Sequence, residues 1–198
     1  MITAKNKDES PLIQQELVKI HNYFNERQSS GKNRLKGYET KKSLCKLLFI
    51  YIVNTSFMHS VEEHPMDLGF LFAPIQKLLN SKKVGNVRIG YLVCLVLLNE
   101  DDLHNKCSEQ ELELKEYLYS CIERDLHSES IDLRALAVIA LSNVNIRFSS
   151  DQIESLAKRM KTILFHSDHS MIVKRKIALC FVRLSRLYPE IISSLSID

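Results

Sequence analysis

The sequence predicts an all-α protein built from stacked helix pairs, and three observations carry that prediction. Apolar residues recur at three- and four-residue spacings along nearly the whole chain, while strand-like alternation is scarce. Only 5 Gly and 4 Pro occur in 198 residues, so helix breakers are few. A segment also recurs. Val87-Arg88-Ile89-Gly90-Tyr91-Leu92, Leu133-Arg134-Ala135-Leu136-Ala137-Val138 and Val173-Lys174-Arg175-Lys176-Ile177-Ala178 each place an aliphatic residue and then a base ahead of an apolar helix with small residues. Their starts, 87, 133 and 173, keep the roughly 40–47-residue period of HEAT and armadillo repeats. One helix pair cannot bury both of its faces alone, so neighbouring pairs must stack. The expected fold is a right-handed superhelical α-solenoid of HEAT/armadillo-like helix pairs.

Each element has its own signal. Residues 1–9 are polar and read as a flexible N-terminus, ahead of a solenoid over 10–198. Ser10-Pro11 supplies a cap and a first-turn proline, and Ile13, Leu17, Ile20 and Phe24 form the apolar stripe of a first helix. That helix fades at Gln28-Ser29-Ser30-Gly31, and a short basic loop follows. A second helix is expected from about Tyr38 to Asn54 and a third from about Asp67 to Asn80, where the interior Pro74 implies a kink or a late start. Residues 81–86 read as a turn before a helix from about Val87 to Asn99. Ser108-x-x-Glu111 is a capping-box pattern opening a helix to about His127. Further helices are expected over 131–144, from Ser150 to near His166, and from Ser170 to a stop before Pro189. The last repeat of such an array exposes an apolar face unless something covers it.

Composition narrows the function. Apolar residues make up 45%, which suits a globular core. The net charge of +3 is uneven: residues 1–46 hold 10 Lys/Arg against 5 Asp/Glu, and residues 47–198 hold 17 against 19. An anionic partner near the N-terminus is therefore expected. No nucleic acid is expected, since no long basic run or nucleic-acid-binding signature occurs. The five cysteines include no C-x-x-C pair and read as free thiols of a reducing, cytoplasmic compartment. No apolar run approaches the length of a membrane span, and the first residues show no apolar signal region.

The most informative stretch is Gly37 to Ile50. Lys41, Lys42 and Lys46 fall within about one and a half helical turns, and positions 42 and 46 share a face. Leu44, Leu47, Leu48 and Tyr51 take the opposite stripe. A lysine cluster near a helix start suits phosphate groups, and it also suits an ordinary solvated helix end. Lys32, Arg34 and Lys36 in the preceding loop could add to it. Catalytic chemistry is not expected: no Gly-rich phosphate loop, G-x-S-x-G or H-E-x-x-H occurs. No cofactor or metal is expected either. His166 and His169 flank Asp168 without a third ligand at metal spacing, and Glu109, Glu111, Glu113 and Glu116 read as a solvated helix face. Cys45 lies near the lysines and reads as a packed thiol.

Gly37-Tyr38, Lys41-Lys42 and Cys45-Lys46-Leu47-Leu48-Phe49-Ile50 closely resemble the second helix of the alpha-adaptin branch of the adaptin large-subunit family. The likeness continues through Arg88-Ile89-Gly90-Tyr91-Leu92 with Leu97-Leu98-Asn99-Glu100, through Asp125-Leu126 with Ala135-Leu136-Ala137, and through Val173 to Leu179 with Tyr188-Pro189-Glu190. It covers roughly residues 11–192. The gamma and epsilon branches share the middle and last segments, and the Gly37–Ile50 block favours alpha.

The resemblance implies the N-terminal trunk of a large subunit of the plasma-membrane clathrin adaptor, acting in endocytosis and vesicle-mediated protein transport without catalysis. It implies a peripheral place on the membrane at clathrin-coated pits, or at the trans-Golgi network or endosomes for the other branches. The implied partners are phosphatidylinositol 4,5-bisphosphate, the small sigma subunit and other adaptor subunits. Lys41, Lys42 and Lys46 match basic positions of the family's headgroup site, with Thr40 and Ser43 where the family has a lysine and a tyrosine. The family's basic residue beside the acidic dileucine docking site falls on Leu12, so that role does not carry over. The family's short amphipathic segment before the first helix, its hinge and its appendage are not matched. A HEAT-type protein scaffold with no lipid role is the alternative.

Overall fold

The computed structural model describes residues 10–29, 37–58, 69–98, 109–144, 148–166 and 170–189. These hold eight α-helices: α1 (Ser10–Ser29), α2 (Gly37–Met58), α3 (Phe72–Leu79), α4 (Val84–Leu97), α5 (Glu109–Leu126), α6 (Ile131–Asn143), α7 (Ser150–Phe165) and α8 (Met171–Leu187). A 3-10 turn, Gly69–Leu71, leads into α3, and no strand occurs among the described residues. The protein is all-α, and its helices pack in pairs as HEAT and armadillo repeats do. They form two compact units, residues 1–81 and 82–198.

In the first unit α1 packs on α2 and on the 3-10 turn, and α2 packs on α3. The core is made by Ile20 and Phe24 of α1, Leu44, Leu47 and Leu48 of α2, and Leu71, Ile75, Leu78 and Leu79. Phe70 is edge-on to His21 at 4.8 Å between ring centres, which holds the 3-10 turn against α1. Pro74 causes a late helix start: α3 begins at Phe72, which leaves the proline at the third position, where its missing N–H has no intrahelical partner to lose.

In the second unit α6 is central. It packs against α4, α5 and α8, while α7 lies against α5 and α8. Leu136, Ala137, Val138, Ala140 and Leu141 of α6 are all buried, as expected for a helix enclosed on several sides. The first residues of α4, α6 and α8, at 84, 131 and 171, keep the repeat period read from the sequence. α4 starts three residues before the expected Val87: the Lys83 carbonyl accepts from the N–H groups of Asn86 and Val87, with no side-chain cap, and Val84-Gly85-Asn86 form the first turn. Gly85 is exposed with open space around it, so its weak helix propensity, costing about 1 kcal/mol, is tolerated there.

Serines start the later helices. Ser130 accepts from the Leu133 N–H, and Ser170 from the Ile172 N–H. Ser149 and Gln152 form a reciprocal capping box at α7, one residue ahead of the expected start at Ser150. The capping-box pattern at Ser108 and the flexible segment 1–9 lie outside the described residues.

Candidate functional site

The basic face of α2 is fixed by the core stripe opposite to it. Thr40, Leu44, Leu47 and Leu48 point into the first unit, so Lys42 and Lys46 face outward. Lys42 and Lys46, with Cys45, Phe49, Ile50 and Glu16 of α1, line an open groove of about 530 Å³. Phe49 is 68% exposed and adds apolar surface to the same groove. Lys41, one residue before Lys42 and so turned about 100° from it around α2, is half-buried and does not line the groove. Of the three lysines of this helix, the structure brings together two. Lys32, Arg34 and Lys36 lie outside the described residues.

Sequence reading missed Glu16. The Lys46 ammonium is hydrogen-bonded and ion-paired to Glu16 Oε1, and Lys19 lies 3.5 Å from Glu16 Oε2. The hydrogen bond from Lys46, aided by both ammonium charges, holds the Glu16 carboxyl below its usual range. The only signal that could have found it is the amphipathic phase of α1, which places Glu16 four residues before Ile20; the cross-helix distance is not a sequence property. The helix start contributes less than expected. Nine residues separate Gly37 from Lys46, about 13 Å along the axis, so the free N–H groups of the first turn do not face an anion held at Lys46. Glu39 occupies that first turn with its own negative charge.

Three of the segments singled out in the sequence serve packing. Tyr91 of α4 donates a 2.7 Å hydrogen bond to Oδ2 of Asp125 at the end of α5, and Arg124 Nε donates to Oδ1 at 2.8 Å. Asp125 is only 2% exposed. Burial first, and then the charge of Asp125 and its hydrogen bond, push the Tyr91 hydroxyl far above its ordinary pKa. The Tyr188 hydroxyl accepts from the Phe148 N–H at 2.8 Å, joining the end of α8 to the start of α7. Tyr-Leu, Asp-Leu and Tyr-Pro are therefore pins between helices. Burial also pushes the thiols of Cys94 and Cys180 upward, Cys180 to about 11. Cys45 is half-buried at the groove, and the described cysteines are all free. Among the described residues no group of three or more His, Cys, Asp or Glu could hold a metal ion; His169 and Asp168 lie outside them.

Residues 9–197 match the family model described as adaptin N terminal region. The chain belongs to the adaptin family. It is 29% identical over 191 residues to the AP-2 complex subunit alpha of Schizosaccharomyces pombe, with 96% of this chain and 18% of that protein aligned. It is 25% identical over 184 residues to AP-2 complex subunit alpha-2 of Dictyostelium discoideum, covering 93% of this chain and 16% of that one. AP-2 complex subunit alpha-1 of Arabidopsis thaliana gives 25% over 191 residues, 96% of this chain and 16% of the relative. The chain thus spans less than a fifth of the length of these curated relatives. As an adaptin N-terminal region it is a helical-repeat trunk scaffold, and no described helix is long and apolar enough to cross a membrane.

Proposed function

We propose that this adaptin segment is of the alpha type and works as part of an adaptor-complex trunk in clathrin-mediated endocytosis. In this reading Lys42 and Lys46, with Lys41 beside them, hold a phosphoinositide headgroup such as that of phosphatidylinositol 4,5-bisphosphate. Lys32, Arg34 and Lys36, which precede α2 in the sequence, would add charge. The helix pairs bind other adaptor subunits, including the small one, and the protein is peripheral on the cytoplasmic face of the plasma membrane. The carrying observation is that α2 places Lys42 and Lys46 on one outward face. The relatives named as AP-2 alpha subunits support the subunit assignment.

A magnitude bears on the mechanism. A lysine near an anionic surface contributes about 1 kcal/mol, so three give about 3 kcal/mol, roughly a hundredfold in partition. That is weak alone and becomes useful through several simultaneous attachments of one complex. The Glu16–Lys46 pair favours the second reading, a HEAT-type scaffold with no lipid role, because an incoming phosphate must displace a carboxylate already seated on Lys46.

Liposome co-sedimentation separates the two. Neutral, phosphatidylserine and phosphatidylinositol 4,5-bisphosphate vesicles are compared at low and physiological salt, with a Lys41→Ala/Lys42→Ala/Lys46→Ala variant as control. Selective binding to the bisphosphate vesicles at physiological salt, lost in the variant, is expected. Equal binding to all anionic vesicles that fades with salt, or no binding by folded protein, rejects the headgroup site.

A further inference from the structure

Glu16 of α1 lies between cations of two helices. Its Oε1 takes the Lys46 ammonium of α2, and its Oε2 lies 3.5 Å from the Lys19 ammonium of α1 itself. Glu16 and Lys19 are three residues apart and so share a face of α1. Glu16 also lines the groove with Lys42 and Lys46. The carboxylate therefore marks the point where ammonium groups of both helices converge. Lys42 and Lys46 belong to the basic segment of α2; Lys19 belongs neither to that segment nor to the basic residues at 32, 34 and 36.

We propose that Lys19 joins Lys42 and Lys46 in a three-lysine site, spanning two helices, for the phosphates of an inositol headgroup, and that the Glu16 carboxylate holds a phosphate's place there until the ligand arrives. This rests on the headgroup reading above and adds to it a residue and a mode of entry. Charge matching is the first argument. Two lysines and one glutamate leave the groove a single net positive charge. Two monoester phosphates carry about −3 to −4 at neutral pH. Recruiting Lys19 and turning Glu16 out to solvent leaves three uncompensated ammonium groups, which comes close to that charge.

The second argument is that the exchange costs little. The Glu16 side chain is 30% exposed, and those of Lys46 and Lys19 are 48% and 71% exposed. Ion pairs as open as these add little to stability. α1 and α2 are joined instead by Ile20, Phe24, Leu44, Leu47 and Leu48, which stay buried whichever anion sits on the lysines. A phosphate in the carboxylate's place keeps both charge-assisted hydrogen bonds, and it brings more charge and a further acceptor oxygen for Lys42. A purely structural Glu16 bridge is the rival; it predicts that replacing Lys19 changes stability slightly and binding not at all.

The test uses the full chain at physiological salt with three probes: phosphatidylinositol 4,5-bisphosphate vesicles, phosphatidylserine vesicles and soluble inositol 1,4,5-trisphosphate. Lys19→Ala should weaken binding to the bisphosphate vesicles and to the trisphosphate about fivefold, the share of one lysine beside an anionic headgroup. Binding to phosphatidylserine vesicles should change less. The loss should persist in a Glu16→Gln background, where Lys19 has no carboxylate to act through. Circular dichroism and urea unfolding check each variant's fold, and alanine suits an exposed helical position. Lys19-dependent binding of the trisphosphate without binding to vesicles supports the three-lysine site and makes its ligand a free inositol phosphate. Binding lost in Lys41→Ala/Lys42→Ala/Lys46→Ala but unchanged in Lys19→Ala overturns this proposal and leaves the headgroup reading standing. A Lys19→Ala effect that vanishes with Glu16→Gln, or that is equal on both kinds of vesicle and absent with the trisphosphate, also overturns it. No binding of any probe by folded parent protein overturns both readings.

Discussion

Replacing Tyr91 by Phe removes one hydroxyl from a buried carboxylate, and the structure gives the size and the pH profile of the effect. The lost bond is 2.7 Å long and ends on a side chain only 2% exposed. Hydrogen bonds to charged groups contribute about 1.5–3 kcal/mol, so Tyr91→Phe should lower stability by about 2 kcal/mol at pH 7. The ring stays, so little packing is lost and the loss belongs to the hydroxyl. The sign of the pH dependence follows from the raised pKa. In the unfolded chain Tyr91 titrates near its ordinary value, whereas in the folded protein it keeps its proton far beyond that. The raised group's stabilisation is complete below about pH 10 and is lost as pH rises from there toward the folded value. At about one unit above the unfolded pKa the parent loses about 1.4 kcal/mol relative to the variant. Urea denaturation of parent and Tyr91→Phe at pH 7, 9 and 11 measures both quantities. The gap should hold at about 2 kcal/mol from pH 7 to 9 and shrink to below about 1 kcal/mol at pH 11. A gap under about 0.5 kcal/mol at neutral pH, or one that widens with alkali, refutes the reasoning.

Further predictions rest on other groups. Tyr188→Phe removes the acceptor of the buried Phe148 N–H and should cost about 1–3 kcal/mol, with hydrogen exchange of that amide the first to accelerate. Ser149→Ala breaks the capping box of α7 and should cost about 1 kcal/mol in thermal or urea unfolding, with Ser149→Gly costing less. Glu16→Gln frees the Lys46 ammonium and should raise binding to bisphosphate vesicles a few-fold at pH 7. The parent should approach the variant only when acid takes the pH down through the lowered Glu16 pKa, which the same sedimentation assay reads. Alkylation at pH 8 should spare Cys94 and Cys180, whose burial both hides the thiols and disfavours the thiolate, until the protein is unfolded in urea.

Local physics was enough for much of this protein. Helical periodicity, sparse breakers and the recurring base-then-apolar segment specify an all-α repeat fold, because each depends only on spacings of three, four and about forty residues. The outward pairing of Lys42 and Lys46 was legible for the same reason: four residues is one turn. The misses are equally local. Lys83 to Asn86 reads as a turn because Gly85 and the exposed lysines carry no packing signal, while in the structure the Lys83 carbonyl accepts from the N–H groups of Asn86 and Val87 and opens the helix there.

Only the tertiary structure decides which distant groups meet. Tyr91 and Asp125 are ordinary residues in two separate motifs until α4 and α5 place them 2.7 Å apart in a site closed to water. Lys46 is a free cation by sequence and a paired one in the fold, because α1 brings Glu16 to it. Sequence spacing determines what shares a face, since the helix repeats every 3.6 residues; which face is covered depends on neighbours tens of residues away, whose positions no local periodicity encodes.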